Sequence, residues 1–264
     1  MNTTPDSFFA DSRTEVFASA LTRSQQLLKE GADVLDIGGE STRPGAIAVS
    51  LEEERKRVIP LVEELVLKCP TVPLSIDTQK AAIAHEALEK GASWINDVSA
   101  LQSDPEMASV VAQYHCPVVL MHRQGTSETM QQNPRYTHVI DEVNAFFEER
   151  IRWSVEQGIA EEKIILDPGI GFGKTVEHNV LLLQQLHSFL QWGKPLLIGV
   201  SRKTFLGHLI SSGSEIPGPD QRLEASLSAA LWALSQGAIW LRVHDVAATR
   251  KACDVWTSLQ GKMT

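Results

Sequence analysis

Ile164-Ile165-Leu166-Asp167-Pro168-Gly169-Ile170-Gly171-Phe172-Gly173-Lys174 is an apolar run that ends in an aspartate and opens into a glycine-rich, basic loop. It reads as a strand that delivers a carboxylate to a site. Glycines at alternate positions let the backbone approach a ligand closely, because no Cβ intervenes and positive φ is inexpensive. Gly173-Lys174-Thr175 copies the end of the phosphate-binding motif G-x-x-x-x-G-K-[ST]. The first glycine of that motif falls on Pro168, which fixes φ and has no N–H to give a phosphate, so a nucleotide-binding loop is disfavoured.

The same apolar-then-polar run recurs along the chain. Strand-length stretches lie at Val34-Leu35-Asp36-Ile37, Val72-Pro73-Leu74-Ser75-Ile76, Trp94-Ile95, Val118-Val119-Leu120-Met121, Ile164-Ile165-Leu166, Leu196-Leu197-Ile198-Gly199-Val200 and Ile239-Trp240-Leu241-Arg242-Val243. Helix-length segments fall between them: near 13–30, 51–68, 79–90, 104–114, 138–157, 177–190, 221–236 and 245–260. In 138–157, Val139, Val143, Phe146, Phe147 and Ile151 follow three- and four-residue steps, the period of an amphipathic helix. Glu30-Gly31-Ala32, Lys90-Gly91-Ala92, Gln157-Gly158-Ile159 and Gln236-Gly237-Ala238 put glycine where a helix ends in the left-handed conformation. Alternating strands and helices with short connections predict a parallel sheet covered by helices.

The expected fold is α/β, a (β/α)8 barrel over a single domain of residues 1–264. Seven strand-like runs are one fewer than a closed barrel has. Asn2-Thr3-Thr4-Pro5-Asp6-Ser7-Phe8 is a polar turn with no strand ahead of it, so the expectation is a barrel whose first strand is missing at the N-terminus.

The bulk composition agrees with a globular domain, with 43% hydrophobic and 22% charged residues. The net charge of −9, from 33 acidic and 24 basic side chains, argues against binding nucleic acid or an anionic membrane through bulk charge. Cys69, Cys116 and Cys253 are too few and too irregular for a disulfide framework or zinc site, which points to a reducing, cytoplasmic setting.

In parallel α/β folds ligands bind at the carboxyl ends of the strands. Those ends carry Glu40-Ser41-Thr42-Arg43-Pro44, Asp77-Thr78, Asn96-Asp97, Met121-His122, Asp167, Ser201-Arg202-Lys203 and Arg242-Val243-His244-Asp245. Each alone has a plain explanation as a helix cap, Asp77 and Asp245 above all. Capping does not explain cations gathered there in an acidic protein. Arg43, Lys203, Arg242 and His244 suit an anion, with arginine offering bidentate bonds to phosphate oxygens. Asp77, Asn96 and Asp167 suit the donors of a flat heterocycle. Together they suggest a nitrogen heterocycle bearing a phosphate-type group.

In these motifs, taken in order across nearly the whole chain, the sequence resembles the dihydropteroate synthases. Gly38-Gly39-Glu40-Ser41-Thr42-Arg43-Pro44-Gly45, the Asp167–Lys174 stretch and Arg242-Val243-His244-Asp245 carry the resemblance most specifically. It implies condensation of 6-hydroxymethyl-7,8-dihydropterin diphosphate with p-aminobenzoate, releasing pyrophosphate, in folate biosynthesis. It implies that Asp77, Asn96, Met121, Asp167 and Lys203 hold the pterin. Asn2, Arg43, Arg242 and His244 match the diphosphate pocket, with Asn2 placing Mg²⁺. Phe8, Thr42, Pro44, Gly171, Phe172, Lys203 and Thr204 would line the p-aminobenzoate side, where sulfonamides mimic the substrate. Lys203, Arg242, His244 and Arg43 are the expected catalytic residues. A homodimer through the later helices, near Trp232, Trp240 and Trp256, is also implied. After Phe8 the chain departs from the family's Asp-Gly-Gly-like turn with Phe9-Ala10-Asp11-Ser12-Arg13.

Two alternatives share the barrel. One is a pterin-binding protein with impaired catalysis, and the other a folate-binding methyltransferase serving a corrinoid protein. The second gives no reason for the cationic ends at Lys203, Arg242 and His244.

Overall fold

A computed structural model describes residues 13–41 and 45–261. The described residues form two compact units, one within Met1–Met121 and Glu149–Ile165 and one within His122–Glu148 and Leu166–Thr264.

The first unit alternates helix and strand: α1 (Arg13–Lys29), β1 (Leu35–Gly38), α2 (Leu51–Lys68), β2 (Leu74–Asp77), α3 (Ala81–Glu89), β3 (Trp94–Asp97), α4 (Met107–Tyr114) and β4 (Val118–Met121). The strands are parallel and lie side by side in chain order, with Ile164 and Ile165 of β5 (Ile164–Asp167) continuing the row. Neighbouring helices pack in the same order, α1 on α2, α2 on α3 and α3 on α4.

Register explains why the strands read as apolar yet deliver polar groups. Ile37, Ile76, Ile95 and Val118 stand opposite one another across β1 to β4, and all four are fully buried. Side chains alternate between faces along a strand. The intervening positions, Asp36, Ser75, Asp77 and Asn96, therefore share the other face, at the carboxyl ends.

The second unit holds the first part of α5 (Val139–Glu156), then α6 (Val176–Gln184), a 3-10 stretch at Leu186–Trp192, β6 (Leu197–Ile198), α7 (Thr204–Ile210), α8 (Leu223–Ser235), β7 (Trp240–Leu241) and α9 (Val246–Leu259). β6 and β7 pair in parallel, and Leu166 bridges to Leu196. Phe147 and Phe189, both fully buried, meet edge to face in its core at 5.6 Å. Thr175 caps α6 by accepting from the His178 N–H, while the His178 ring accepts from the Thr175 N–H.

The four glycine stops behave as expected. Gly31, Gly91, Gly158 and Gly237 take φ of 98°, 104°, 90° and 98°. The following residue returns its N–H to the carbonyl five back, as Ala32 does to Leu27 and Ala238 to Ala233, both at 3.0 Å.

Three features differ from expectation. The helix expected over 177–190 breaks at Gln185, which leaves the helical region at φ −110° and ψ 25°, and a 3-10 stretch follows. Strands β6 and β7 are each two residues long, shorter than the apolar runs that contain them. Helix α7 was not legible because it is only seven residues long and carries Gly207 at its centre. Packing requires that glycine: a Cβ there would lie 2.8 Å from Arg222 Nε and from Ile216 Cγ2.

Candidate functional site

In the first unit Asp36 organises the polar face. Ser75 Oγ donates to Asp36 Oδ1 at 2.7 Å, and Asn96 Nδ2 donates to both Asp36 oxygens at 3.3 Å. Asp36 fixes how Asn96 points, yet it escaped the sequence reading because it sits inside the run Val34–Ile37. The signal was its period-two spacing from Gly38 at the strand end. Asp77 and Asn96 are buried on this face, and Met121 is buried at the end of β4. Asp77 is no helix cap: α3 starts from Lys80, and the Ala81 N–H bonds instead to Asp104 Oδ2 at 2.8 Å.

Asp97 has a structural task. One of its oxygens accepts from the N–H and hydroxyl of Ser99, each at 2.7 Å, and the other accepts from the Leu101 N–H at 3.0 Å. This pins a turn in which Ala100 and Leu101 hold φ of 53° and 65°, a costly region for residues with a Cβ. Beside β2, Lys80 bridges Glu40 at 2.6 Å and the buried Glu54 at 2.5 Å, and Thr78 Oγ1 donates to Glu54 at 2.6 Å.

In the second unit the loop after β5 is wound tightly around Asp167. Asp167 Oδ1 accepts from the Gly169 N–H at 2.7 Å. Burial raises its pKa, opposed by Lys203, the Gly169 N–H, Lys174 and Arg242. The Lys203 ammonium bonds the Ile170 carbonyl and stands 4.5 Å from the centroid of the Phe172 ring. Burial lowers the Lys203 pKa to about 8, with Arg242 adding to the shift and Asp167 opposing it. Lys203, Asp167, Gly171 and Phe172 are thus brought together, with Arg242 within electrostatic reach. Thr204 follows as the first residue of α7 and is exposed.

The glycines are demanded by close approach. A Cβ on Gly169 would overlap the His122 carbonyl, and one on Gly173 would overlap the Gln124 carbonyl. Lys174 turns inward and donates to the Phe172 carbonyl at 3.0 Å and the His122 carbonyl at 3.3 Å, which leaves the nucleotide-binding reading without its lysine.

At the end of β7, His244 Nδ1 lies 3.0 Å from Ser201 Oγ, and the His244 N–H donates to the same oxygen at 3.2 Å. Asp245 is an ion-pair partner and makes no side-chain cap bond to α9. Arg202 grips both of its oxygens, at 2.9 and 2.6 Å, and reaches Asp220 at 2.5 Å. Arg202 is therefore committed within the protein, while Lys203 faces the loop.

Asn2, Phe8, Thr42, Arg43 and Pro44 lie outside the described residues. Among the described residues no group of three or more His, Cys, Asp or Glu side chains is placed to hold a metal.

Residues 1–244 match the family described as pterin binding enzyme. A dihydropteroate synthase of Escherichia coli (strain K12) is 44% identical over 255 residues, covering 97% of this chain and 88% of the relative. The structure of Xanthomonas albilineans dihydropteroate synthase with 4-aminobenzoic acid is similar at a TM-score of 0.89 and 44% identity, covering 98% of this chain and 90% of that one. The structure of the same organism's enzyme with 7,8-dihydropteroate is similar at a TM-score of 0.87 and 42% identity, covering 98% and 91%. The chain has the α/β fold of these structures, the class expected from its sequence.

Proposed function

This chain belongs to the pterin-binding enzyme family, and on that premise we propose how its residues carry out the family's synthase reaction. It acts as a dihydropteroate synthase, a transferase that condenses 6-hydroxymethyl-7,8-dihydropterin diphosphate with p-aminobenzoate to give 7,8-dihydropteroate and pyrophosphate. The matches favour this over a folate-binding methyltransferase or a pterin-binding protein without catalysis.

The observation that carries the residue assignment is the Lys203 ammonium, placed over the Phe172 ring and bonded to the Ile170 carbonyl, with Asp167 as its electrostatic partner. In the first unit, Asp77, Asn96 and Met121 bind pterin, with Asp36 holding Asn96 in position. In the second, Asp167 accepts from the N–H groups of the pterin and Lys203 donates to it. Lys203, Gly171, Phe172 and Thr204 form a wall for p-aminobenzoate, to which Phe8, Thr42 and Pro44 are assigned from the sequence.

In the reaction the bond between the pterin methylene carbon and the diphosphate oxygen breaks, and its electron pair leaves with pyrophosphate. The aniline nitrogen of p-aminobenzoate forms the new bond and then loses a proton. An electron-rich pterin shares the positive charge left on the methylene, so the barrier lies mostly in stabilising the departing anion. Arg242 and Arg43 supply positive charge for this, and His244 a hydrogen-bonding ring, roles assigned from the sequence. Mg²⁺, assigned to Asn2 and the diphosphate, supplies further charge neutralisation when bound.

We place the enzyme in the cytosol, on its three free cysteines. No helix among the described residues is long and apolar enough to cross a membrane. We also propose a homodimer through the face of α6, α7 and α8, where Leu209 is 55% and Trp232 48% exposed beside Leu183 and Phe205. The functional reading is tested by pyrophosphate release from the purified chain: release should require both substrates, and release from the pterin diphosphate alone at the same rate would count against it.

A further inference from the structure

All five carbonyls from Gly169 to Gly173 are engaged inside the second unit. Gly169 accepts from the Phe172 N–H at 3.0 Å, Ile170 from Lys203, and Gly171 from Gln131 Nε2 at 2.7 Å. Phe172 accepts from Lys174 Nζ at 3.0 Å and Gly173 from the Tyr136 hydroxyl at 2.9 Å. Two lysines therefore hold one short loop, and the chemistry above uses only Lys203.

Lys174 is 3% exposed. A buried ammonium is strongly unfavourable unless its donors are met. Here they are met: besides Phe172, Nζ reaches the His122 carbonyl at 3.3 Å and His122 Nδ1 at 3.0 Å. Burial and the nearby Lys174 lower the His122 pKa to about 2, so the ring is neutral and its Nδ1 is free to accept. Burial also lowers the Lys174 pKa to about 7, with Lys203 adding to the shift and Asp167 opposing it. Even as an amine it keeps two N–H donors, so the strut survives loss of the proton.

We propose that Lys174 is a positioning residue for p-aminobenzoate: by tying the Phe172 carbonyl to His122, it sets the height of the Phe172 ring beneath the Lys203 ammonium. Gly169 and Gly173 press directly on the backbone of His122 and Gln124, which holds the ends of the loop and leaves the Phe172 carbonyl between them to be placed by Lys174. Removing the strut leaves the Phe172 carbonyl unpaired and lets the ring shift, while pterin contacts made by other residues are kept. The inference rests on the reading of Phe172 as the p-aminobenzoate wall.

A double-mutant cycle in the full-length chain tests it, with pyrophosphate release measured while each substrate is varied. Lys174→Met raises the KM for p-aminobenzoate about tenfold, the scale of one buried hydrogen bond, and changes the KM for the pterin diphosphate less, because Asp167 keeps Lys203 and Arg242 as its cations. Phe172→Ala raises the p-aminobenzoate KM by itself, and adding Lys174→Met to it produces no further rise. An unchanged KM in Phe172→Ala overturns the wall reading together with the inference. A raised KM in Phe172→Ala with additive effects in the double variant overturns the inference alone. A lower kcat with both KM values unchanged shows a merely structural lysine and also overturns it. Should Lys174→Met fail to fold, Lys174→Gln, whose uncharged side chain is one atom shorter and cannot span from Phe172 to His122, takes its place in the cycle and is judged by the same coupling.

Discussion

The Lys203 ammonium stands 4.5 Å from the centroid of the Phe172 ring, and the same nitrogen bonds the carbonyl of Ile170. One cation thus meets an aromatic face and a backbone dipole of a single loop, with the buried Asp167 carboxyl as its electrostatic partner. Lys203→Ala removes all three relationships. The expected result is a fall in kcat/KM of at least about a hundredfold, the size seen when one preorganised group at a reacting centre is lost. Near-normal turnover in the variant contradicts the placement.

Asp167→Asn keeps the shape but weakens a charge-assisted acceptor. Calorimetry should show pterin affinity falling by about tenfold or more, with p-aminobenzoate affinity changing less. Equal losses for the two ligands count against Asp167 as a pterin anchor.

Asp36→Ala leaves the buried Ser75 hydroxyl and Asn96 amide without their acceptor. Unfolding in urea should show about 1–3 kcal/mol less stability. Pterin binding should weaken as well, because Asn96 is no longer oriented. Unchanged pterin affinity would show that Asn96 is oriented by something else.

His122 gives the fold a defined response to acid. Its folded pKa, about 2, lies below the ordinary value of 6.5, so between these the unfolded chain binds the extra proton. Stability is therefore lost as pH falls below 6.5, with a slope of up to about 1.4 kcal/mol per pH unit from this group. His122→Gln should flatten the pH dependence between about 5 and 6.5. Parallel curves for the two proteins would refute the assignment.

Leu209→Glu puts a charge on the exposed face of α7 beside Trp232. Sedimentation velocity should show a dimer for the parent chain and a monomer for the variant. A parent that sediments as a monomer at micromolar concentration rules the dimer out.

The strand and helix rhythm was legible because buried parallel strands read as short apolar runs and four helices end on glycines forced to positive φ. Asp167 and Lys203 were legible for a related reason, since each follows such a run. Asp36 was hidden by its position inside an apolar run, where only the pairing with Ser75 and the approach of Asn96 reveal its face. Lys174 was noticed as a nucleotide motif, and its inward turn depends on long-range partners, His122 above all, that local spacing does not encode. Asp77 and Asp245 likewise resembled caps, and their true surroundings required tertiary structure: Asp245 is clasped by Arg202, forty-three positions away.

The proposed chemistry is a two-substrate condensation at a site containing Lys203. The most direct measurement is pyrophosphate release by the purified chain with pterin diphosphate and p-aminobenzoate, supplied together and separately, in the presence of Mg²⁺. Release should be rapid, with formation of 7,8-dihydropteroate, only when both are present, and should be severely lost in Lys203→Ala. Release that ignores p-aminobenzoate, or no release from the folded chain, would contradict it.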